Sequence, residues 1–416
     1  MTEPLQPPAK KNPQLRSPLA FLPPVPRSRA ALGLTARAAE GRFALQQCAE
    51  CGAVQYPPRD ACCKCLSTDL PWTDQPPHGE LIAETTVRIS PDLYFRNQSP
   101  WRMGTVRLAS GVSVLCHLHG DVRKGPVRLA LLLDRAGQGT IMALPEQEVP
   151  NMADDPQLRE LGTSPKHRRV LITDARAANA PALVRALLDA GAAMVFVGES
   201  EGWRRWPGRA ALDAMERVEI VPLDVTDSAS VREAAGTLGG KTDILINNAV
   251  FLRPGGALDR SDTVFAQQEL EVNYLGLMRL AQAFGPAMRA RGGDGINSAA
   301  AWVNILSANA LAADPTHAGY SAASAAALSL TQSLRADLRG GGVRVMTVLT
   351  GPTDDEWYAE APPPKLAPRA VARAIVDGLE RGLEEVACGD IARDLVERWR
   401  QDAKVLEREL AEGAGR

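Results

Sequence analysis

The chain has 416 residues, which at roughly 100–200 residues per domain allows two or three domains. Its 47 basic and 49 acidic residues leave a formal net charge of −2, so charge gives no reason to expect nucleic acid or an anionic membrane as a partner. Hydrophobic residues make up 45% of the chain, but none of its runs has the ~18 consecutive apolar residues of a membrane helix.

Residues 1–29 form a leader rich in Pro, Lys and Arg, and its lack of periodicity predicts a disordered or extended segment. The leader has no apolar region of the kind found in secretory signals, so we expect a cytoplasmic protein. In that compartment the seven cysteines are expected to be thiols or metal ligands rather than disulfides.

Residues 30–72 are predicted to hold a short amphipathic helix and then a metal site. The cysteines are spaced as Cys48-x2-Cys51 and, ten residues later, Cys62-x2-Cys65. Two such turns close a tetrahedral site of four thiolates, which suits structural zinc and leaves no open position for catalysis. Cys63 is the spare residue, since only Cys62 and Cys65 keep the two-residue gap. The alternatives are buried thiols or a redox pair, although neither C-x-x-C opens a helix after a strand.

The rest of the chain divides into a β part and an α/β part. Residues 73–146 alternate apolar and polar positions between turn residues, which predicts four or five strands of a small barrel. Residues 147–166 are predicted to be a polar linker. From residue 167 to 416, apolar strand-like runs alternate with helical stretches, which indicates a doubly wound parallel sheet with crossover helices.

The stretch "CAECGAVQYPPRDACCKCLSTDLPW", with "SPWRMGTVRL" after it, resembles a family of acyl-CoA-associated proteins built from a zinc ribbon and an OB-fold. The match covers about residues 30–146 and includes the ribbon spacing, the turn at Tyr56–Arg59 and Trp72. Cys63 departs from the family, which usually has Pro there. The resemblance implies an accessory subunit of a thiolase-like or aldolase-like partner, with the barrel contacting a CoA thioester or docking on the partner enzyme.

An OB barrel also raises the alternative of single-stranded nucleic-acid binding. Tyr94, Phe95 and Trp101 lie close in sequence to Arg96 and Arg102, as such a site requires. The near-neutral charge of the chain argues against it, and the simpler interpretation is that these aromatic rings close the barrel. We therefore expect no nucleic-acid partner.

From about residue 167 to 400 the chain resembles the short-chain dehydrogenase/reductase family, whose motifs recur in order. The matching residues are Asp224 and Val225 after the third strand, "NNA" from Asn247 after the fourth, Asn273 in "EVNYLG", Ser307 at the end of the fifth strand, Tyr320 thirteen residues later, and Thr350–Trp357 after the sixth. The resemblance implies a Rossmann-type fold, cofactor contacts at Asp224, Val225 and Asn247, and a catalytic set of Ser307, Tyr320 and Asn273. It also implies a homo-oligomer through the helix that begins near Tyr320.

The family's chemical signatures are nevertheless broken in two places. Its first loop carries three glycines that let the backbone approach a pyrophosphate, whereas residues 173–180 contain none. Its Tyr-x-x-x-Lys motif becomes Tyr320-x-x-x-Ser324, which removes the lysine that lowers the tyrosine pKa. An unassisted tyrosine has a pKa of ~10, so about one in a thousand is ionised at neutral pH. Glu199, at the end of the second strand, is negatively charged and would disfavour binding of the 2′-phosphate of NADP.

These losses favour an accessory or scaffold role on an acyl-CoA enzyme, with the α/β part kept for dimerisation or binding. Zinc is then the expected metal, and bound NAD(P) is not expected. The first alternative is an active NAD(P)-dependent oxidoreductase that acts on a hydroxyacyl-CoA or ketoacyl-CoA. The second is the nucleic-acid-binding OB module.

Overall fold

The computed structural model describes residues 1–9, 15–25, 28–206 and 208–414. Within them the chain divides into two compact units. The first unit holds residues 28–164, with 1–7, 21–25 and 379–384, and the second holds 165–378 and 385–414, with 8–9 and 15–20. Each helix in the described residues is too short or too polar to cross a membrane.

The first unit opens with a small three-stranded antiparallel sheet beside a short helix. The helix α1 spans Leu32–Ala39, and the strands are β1 (Ala44–Gln47), β2 (Val54–Gln55) and β3 (Trp72–Asp74). The strand order is β2-β1-β3, so the long cysteine-bearing loop between β2 and β3 starts and ends beside β1. This is the layout of a zinc ribbon.

Five strands then form a closed barrel, as the alternating pattern predicts. They are β4 (His78–Val87), β5 (Trp101–Leu108), β6 (Ser113–Leu118), β7 (Gly125–Leu133) and β8 (Gly139–Pro145), in the order β4-β5-β6-β8-β7. A short helix, α2 (Leu93–Asn97), connects β4 to β5. Alternate residues point inward and are buried, among them Leu81, Val106, Val114, Leu118, Leu129 and Leu131.

A short helix, α3 (Pro156–Leu161), lies within the segment predicted to be a linker. Asp155 caps it by accepting a hydrogen bond from the Leu158 N–H at 2.9 Å, and Pro156 occupies the first helical position. Both residues favour helix starts. The segment carries no long apolar period, and for that reason the sequence pattern alone does not indicate this helix.

The second unit is built on a seven-stranded parallel sheet with the order β11-β10-β9-β12-β13-β14-β15. Its strands are β9 (Arg169–Ile172), β10 (Met194–Glu199), β11 (Val218–Pro222), β12 (Ile244–Asn247), β13 (Ala301–Ser307), β14 (Arg344–Thr350) and β15 (Glu385–Cys388). The order reverses between β9 and β12, and ligands of such sheets bind at the carboxyl ends of the strands on either side of the reversal.

Helices connect these strands. They are α4 (Ala180–Asp189), α5 (Arg209–Asp213), α6 (Ser228–Leu238), α7 (Val264–Leu270), α8 (Gly276–Ala290), α9 (Ala318–Arg339), α10 (Pro368–Glu380) and α11 (Asp390–Ala414), with a π-turn at Glu271–Leu275. The apolar core includes Phe284 and Trp302, both fully buried. A Rossmann-type unit therefore follows the ribbon and barrel, as predicted.

Asp243 joins three segments at the amino-terminal edge of this sheet. Its buried carboxylate accepts hydrogen bonds from the Arg169 backbone N–H at 2.9 Å and from the Arg169 guanidinium. Arg291, just beyond α8, also donates to it and is itself buried. Removing one member of a buried ion pair leaves the remaining charge uncompensated.

We expect Asp243→Ala to lower the free energy of unfolding of the second unit by about 3 kcal/mol, because the buried Arg291 would lose its closer carboxylate and keep only Asp294, at 3.5 Å from its Nε. Urea unfolding followed by circular dichroism measures this loss. The control is Asp213→Ala, which removes a carboxylate that is 63% exposed and should change stability by about 0.5 kcal/mol or less. Equal losses in the two variants would contradict the argument.

Candidate functional site

The four cysteines predicted to bind metal lie together in the first unit. The sulfurs of Cys48, Cys51, Cys62 and Cys65 are all within 4.8 Å of one another. The Cys48 and Cys65 sulfurs are 3.5 Å apart, and those of Cys51 and Cys62 are 3.6 Å apart. Four converging thiols without a disulfide are the donor set of a structural zinc ribbon.

The two cysteine turns have the same backbone design. The residue after the second cysteine of each pair has a positive φ: 70° at Gly52 and 65° at Leu66. The N–H of that residue donates to the carbonyl of the first cysteine, at 2.9 Å in one turn and 3.1 Å in the other. This geometry turns both sulfurs of each pair toward the centre of the ribbon.

Backbone N–H groups favour the thiolate form at two of the four cysteines, whereas the neighbouring thiols raise the pKa of Cys51 and Cys65. The N–H groups of Cys65 and Lys64 lower the pKa of the Cys62 thiol to about 6. The N–H of Cys51 likewise lowers the pKa of Cys48. Since the thiolate is the form that binds metal, these N–H groups suit the ribbon to a cation such as zinc.

Cys63 lies outside the cluster although it is adjacent in sequence to Cys62. Its thiol is exposed, and its backbone N–H donates to the Gln55 side chain at 3.0 Å. Cys63 is therefore a matched control for the four ligands, because it is next to Cys62 in sequence but lies outside the cluster of sulfurs.

We expect Cys48→Ser to reduce the zinc content of the purified protein and to destabilise residues 45–75, because three thiolates no longer close the tetrahedral site. Cys63→Ser should keep about one zinc per chain. Elemental analysis by mass spectrometry measures both variants. Unchanged zinc content in Cys48→Ser, or equal losses in the two, would show that the assigned ligands are wrong.

In the second unit, the loop after β9 occupies the place of the family's glycine-rich turn. The backbone N–H groups of its residues 174–176 are bonded within the protein. Ala175 donates to the Gly198 carbonyl at 2.7 Å, and Arg176 donates to the Asp174 carboxylate at 2.8 Å. Asn248 holds the loop from the other side by bonding both the N–H and the carbonyl of Asp174 at 2.8 Å.

This loop departs from the glycine-rich cradle that holds the pyrophosphate of a dinucleotide. Burial raises the pKa of the Asp174 carboxyl, and Ala175 is fully buried. The amide oxygen of Asn247, a predicted cofactor contact, accepts instead from the Thr173 hydroxyl at 2.9 Å. Close approach of a phosphate requires free N–H groups and no Cβ in the way.

The residues expected near the adenosine make hydrogen bonds or packing contacts within the protein. Glu199, at the end of β10, accepts hydrogen bonds from Trp206 at 2.7 Å and Arg209 at 2.9 Å. Burial would raise its pKa, but these two donors outweigh that effect and lower it. Asp224 bonds to Thr226 of its own turn, and Val225 is buried against Gly276.

The residues matching the catalytic set lie at the carboxyl end of β13, at the π-turn and at the start of α9. Ser307 ends β13 and accepts from the Asn309 N–H at 3.1 Å. Asn273 bonds to both the N–H and the carbonyl of Phe251, so it serves as a backbone clamp. Tyr320 lies in the first turn of α9 and is buried.

The environment of Tyr320 disfavours ionisation. Burial raises its pKa to about 12, and the hydroxyls of Tyr358 and Ser324 are its hydrogen-bond partners. Burial also raises the pKa of Tyr358 well above its usual value. Ser324, buried in the next turn of α9, supplies a hydroxyl where the family supplies a positive charge. A neutral hydroxyl does not stabilise a phenolate as an ammonium does.

Three features near Tyr320 are missed by the sequence analysis. They are an arginine surrounded by aromatic rings, Arg253; a buried ion pair, Arg260–Glu269; and the contact of His317 with Asp314 at 2.9 Å. The spacing of these residues matches no motif, and the rings around Arg253 come together only in the fold. The "NNA" motif at Asn247 only marks where the loop that carries Arg253 begins.

Comparison with known families agrees with this architecture. Residues 35–71 match the rubredoxin-like zinc ribbon domain of ChsH2, and residues 72–131 match the ChsH2 C-terminal OB-fold domain. Residues 168–364 match the short-chain dehydrogenase family. The chain is therefore a fusion of a ChsH2-type ribbon and barrel with a dehydrogenase-type unit.

Individual proteins extend the match in the second unit. The cis-4-hydroxycyclohexanecarboxylate dehydrogenase of Sinomonas cyclohexanicum is 30% identical over 230 residues, which are 55% of this chain and 89% of the relative. The chain belongs to the short-chain dehydrogenase family. A crystal structure of a family member from Burkholderia cenocepacia in complex with NADP is 34% identical with a TM-score of 0.53, covering 58% of this chain and 97% of that one.

Other relatives match over a shorter range. A short-chain dehydrogenase of Penicillium crustosum is 34% identical over 144 residues, which are 33% of this chain. The chain spans 49% of the length of that relative and of a second Penicillium short-chain dehydrogenase. Within this family, our protein combines the familiar sheet with a cofactor loop and a tyrosine site that depart from the family pattern.

Proposed function

We propose that this protein is an accessory subunit of a thiolase-like or aldolase-like enzyme acting on acyl-CoA thioesters. The ribbon and barrel dock on that enzyme or contact the thioester. The short-chain dehydrogenase unit serves for binding and self-association rather than hydride transfer. On this proposal Ser307, Tyr320 and Asn273 are vestigial.

The observation that carries the proposal is the buried Tyr320 hydroxyl, whose hydrogen-bond partners are the neutral hydroxyls of Tyr358 and Ser324 and whose nearby charges, Asp355 and Glu269, raise its pKa further. A proton relay at neutral pH requires a group whose pKa lies near the operating pH. Burial raises the Tyr320 pKa to about 12, and Ser324 provides no charge to reverse the effect. The bonded N–H groups of the loop at 174–176 point the same way, because they leave no cradle for a pyrophosphate.

A cavity in the first unit supports the acyl-CoA part of the proposal. It has a volume of about 330 Å³ and is lined by aromatic and apolar side chains, among them Tyr94, Phe95, Trp101 and Leu115. Tyr94 and Trp101 are buried and packed edge to face, and therefore do not form an open stacking platform for bases. An apolar cavity of this size accommodates a short acyl group.

The second candidate is an active oxidoreductase. What favours it is the likeness to named dehydrogenases, including one whose substrate carries both a hydroxyl and a carboxylate. Ser307 and Tyr320 also keep the family's spacing of thirteen residues. The two candidates differ in whether the intact protein binds a nicotinamide cofactor.

We expect neither NADH nor NADPH to bind the intact protein at about millimolar concentration, because the loop at 174–176 has no free cradle. Calorimetry or fluorescence transfer from tryptophan measures this. Saturable binding, together with hydroxyacyl-CoA oxidation that Tyr320→Phe abolishes, would instead establish the oxidoreductase.

The cavity in the barrel provides the test of the accessory role. Leu115 lines it and is 52% exposed, so Leu115→Glu should fold yet weaken acyl-CoA or partner binding about tenfold through a charge at an apolar contact. Ile89→Glu is the matched control, since Ile89 is 91% exposed and outside the cavity lining. Calorimetry with a short-chain acyl-CoA and co-elution with a thiolase-like enzyme measure the effect. No binding to either would overturn the role.

A further inference from the structure

We propose that Arg253 is the binding residue for an oxyanion, either the carboxylate of a small organic acid or a phosphate of CoA. The site lies in the short-chain dehydrogenase unit, in the loop between β12 and α7. The inference does not depend on whether the ribbon and barrel dock on a partner enzyme.

The side chain of Arg253 is held by three aromatic rings. Its guanidinium carbon is 5.4 Å from the ring centre of Phe251, 5.9 Å from that of Phe265 and 5.6 Å from that of Trp357. Phe251 and Trp357 also contact each other edge to face at 5.5 Å. Stacked rings fix the plane of a guanidinium and leave its edge for a bidentate contact with an oxyanion.

The backbone of Arg253 is fixed independently by a buried ion pair. Glu269 is fully buried and accepts from the Arg253 N–H at 2.9 Å. Arg260 bonds both oxygens of Glu269, at 2.9 and 3.0 Å, and also donates to the Arg253 carbonyl. A guanidinium positioned at both its backbone and its side chain loses little conformational entropy when a ligand binds.

The charge of Arg253 remains available for a ligand. Arg260 also lies over the Phe265 ring, at 6.0 Å from its centre, but its charge is neutralised by Glu269. Arg253 is exposed, and across the described ranges its side chain makes no ion pair with a carboxylate. Of the two arginines beside this ring, one is therefore structural and the other faces solvent with its positive charge uncompensated.

The loop that carries Arg253 is also attached to the segment before Tyr320. Gly255 donates to the Thr316 carbonyl at 2.7 Å, and Ala318 donates to the Gly255 carbonyl at 3.3 Å. Trp357, which contacts Arg253, directly precedes Tyr358, the hydrogen-bond partner of Tyr320. An anion bound to Arg253 would therefore lie beside the rings of Phe251, Phe265 and Trp357. These apolar neighbours favour an organic anion over an inorganic one.

The test uses the intact protein and two probes of equal shape. Benzoate carries a carboxylate on an apolar ring, and benzamide is its neutral counterpart. We expect benzoate to bind and benzamide to bind about tenfold more weakly, as for the loss of a charge-assisted hydrogen bond. Calorimetry and ligand-observed NMR give the dissociation constants. Coenzyme A and inorganic phosphate, titrated separately, distinguish a phosphate from a carboxylate as the bound group.

Arg253→Gln should weaken oxyanion binding about tenfold and leave benzamide unchanged. Arg253→Lys keeps the positive charge but not the planar guanidinium, so its affinity for the oxyanion should lie between those of the parent and Arg253→Gln. The Lys variant also replaces the Gln variant in the test if the latter folds poorly. The control is Arg232→Gln, which changes an exposed arginine bonded to the Ser228 carbonyl of its own helix; it should bind as the parent does.

Two results would overturn the proposal. The first is that the parent protein and Arg253→Gln bind each oxyanion with the same affinity. That result would mean that the stacked arginine has a purely structural role. The other is a dissociation constant above about 10 mM for benzoate, coenzyme A and phosphate alike in the parent protein. Binding of coenzyme A or phosphate alone, lost in Arg253→Gln, supports the site and identifies its ligand group as phosphate.

Discussion

The buried carboxylate of Glu269 holds together the segments that surround Tyr320. It pairs with Arg260, accepts from the Arg253 backbone and lies so close to Gly319 that a Cβ there would be 2.1 Å from its oxygen. The Glu269 carbonyl accepts from the Asn273 amide at 2.8 Å. A charge in this position is stable only while every partner is in place, so the loop, the π-turn and the start of α9 are fixed as one arrangement.

The two sites of the chain differ in how charge is balanced. In the ribbon, backbone N–H groups lower the pKa of Cys62 and of Cys48, while the crowding of four thiols raises the pKa of Cys51 and Cys65, and a bound cation would relieve that crowding. At Tyr320, burial raises the pKa and Ser324 adds only a neutral hydroxyl. The cysteine cluster is therefore suited to a metal ion, whereas the surroundings of Tyr320 keep its hydroxyl protonated.

Local spacing and periodicity predicted the ribbon, the barrel and the parallel sheet. The four-cysteine pattern could be read directly, because two residues within one turn must present their sulfurs together. The helix at Pro156–Leu161 could not be read in the same way, since it depends on a cap at Asp155 rather than on an apolar stripe. Charge-bearing contacts between distant segments, such as that of Asp243 with Arg291, are likewise invisible to periodicity.

The aromatic setting of Arg253 illustrates the same limit. Phe251 and Phe265 come from one stretch of chain, but Trp357 lies about a hundred residues later, where it follows β14. Sequence comparison with the family directs attention to Tyr320 and Ser324, the positions with assigned chemistry. The residues that set which ligand enters lie in the loops instead, where sequence varies and no motif exists.

Much of the backbone of the loop after β9 is hydrogen-bonded within the chain itself. A glycine-rich turn leaves backbone N–H groups unsatisfied until a phosphate binds, and buried unsatisfied N–H groups are costly. Here Gly198, Asp174 and Asn248 provide those bonds from within the chain. The N–H groups of residues 174–176 therefore need no ligand to satisfy their hydrogen bonds. On the proposed accessory role, the residues that replace the family's glycines therefore stabilise this loop without a cofactor, and binding of a dinucleotide there would require breaking these hydrogen bonds.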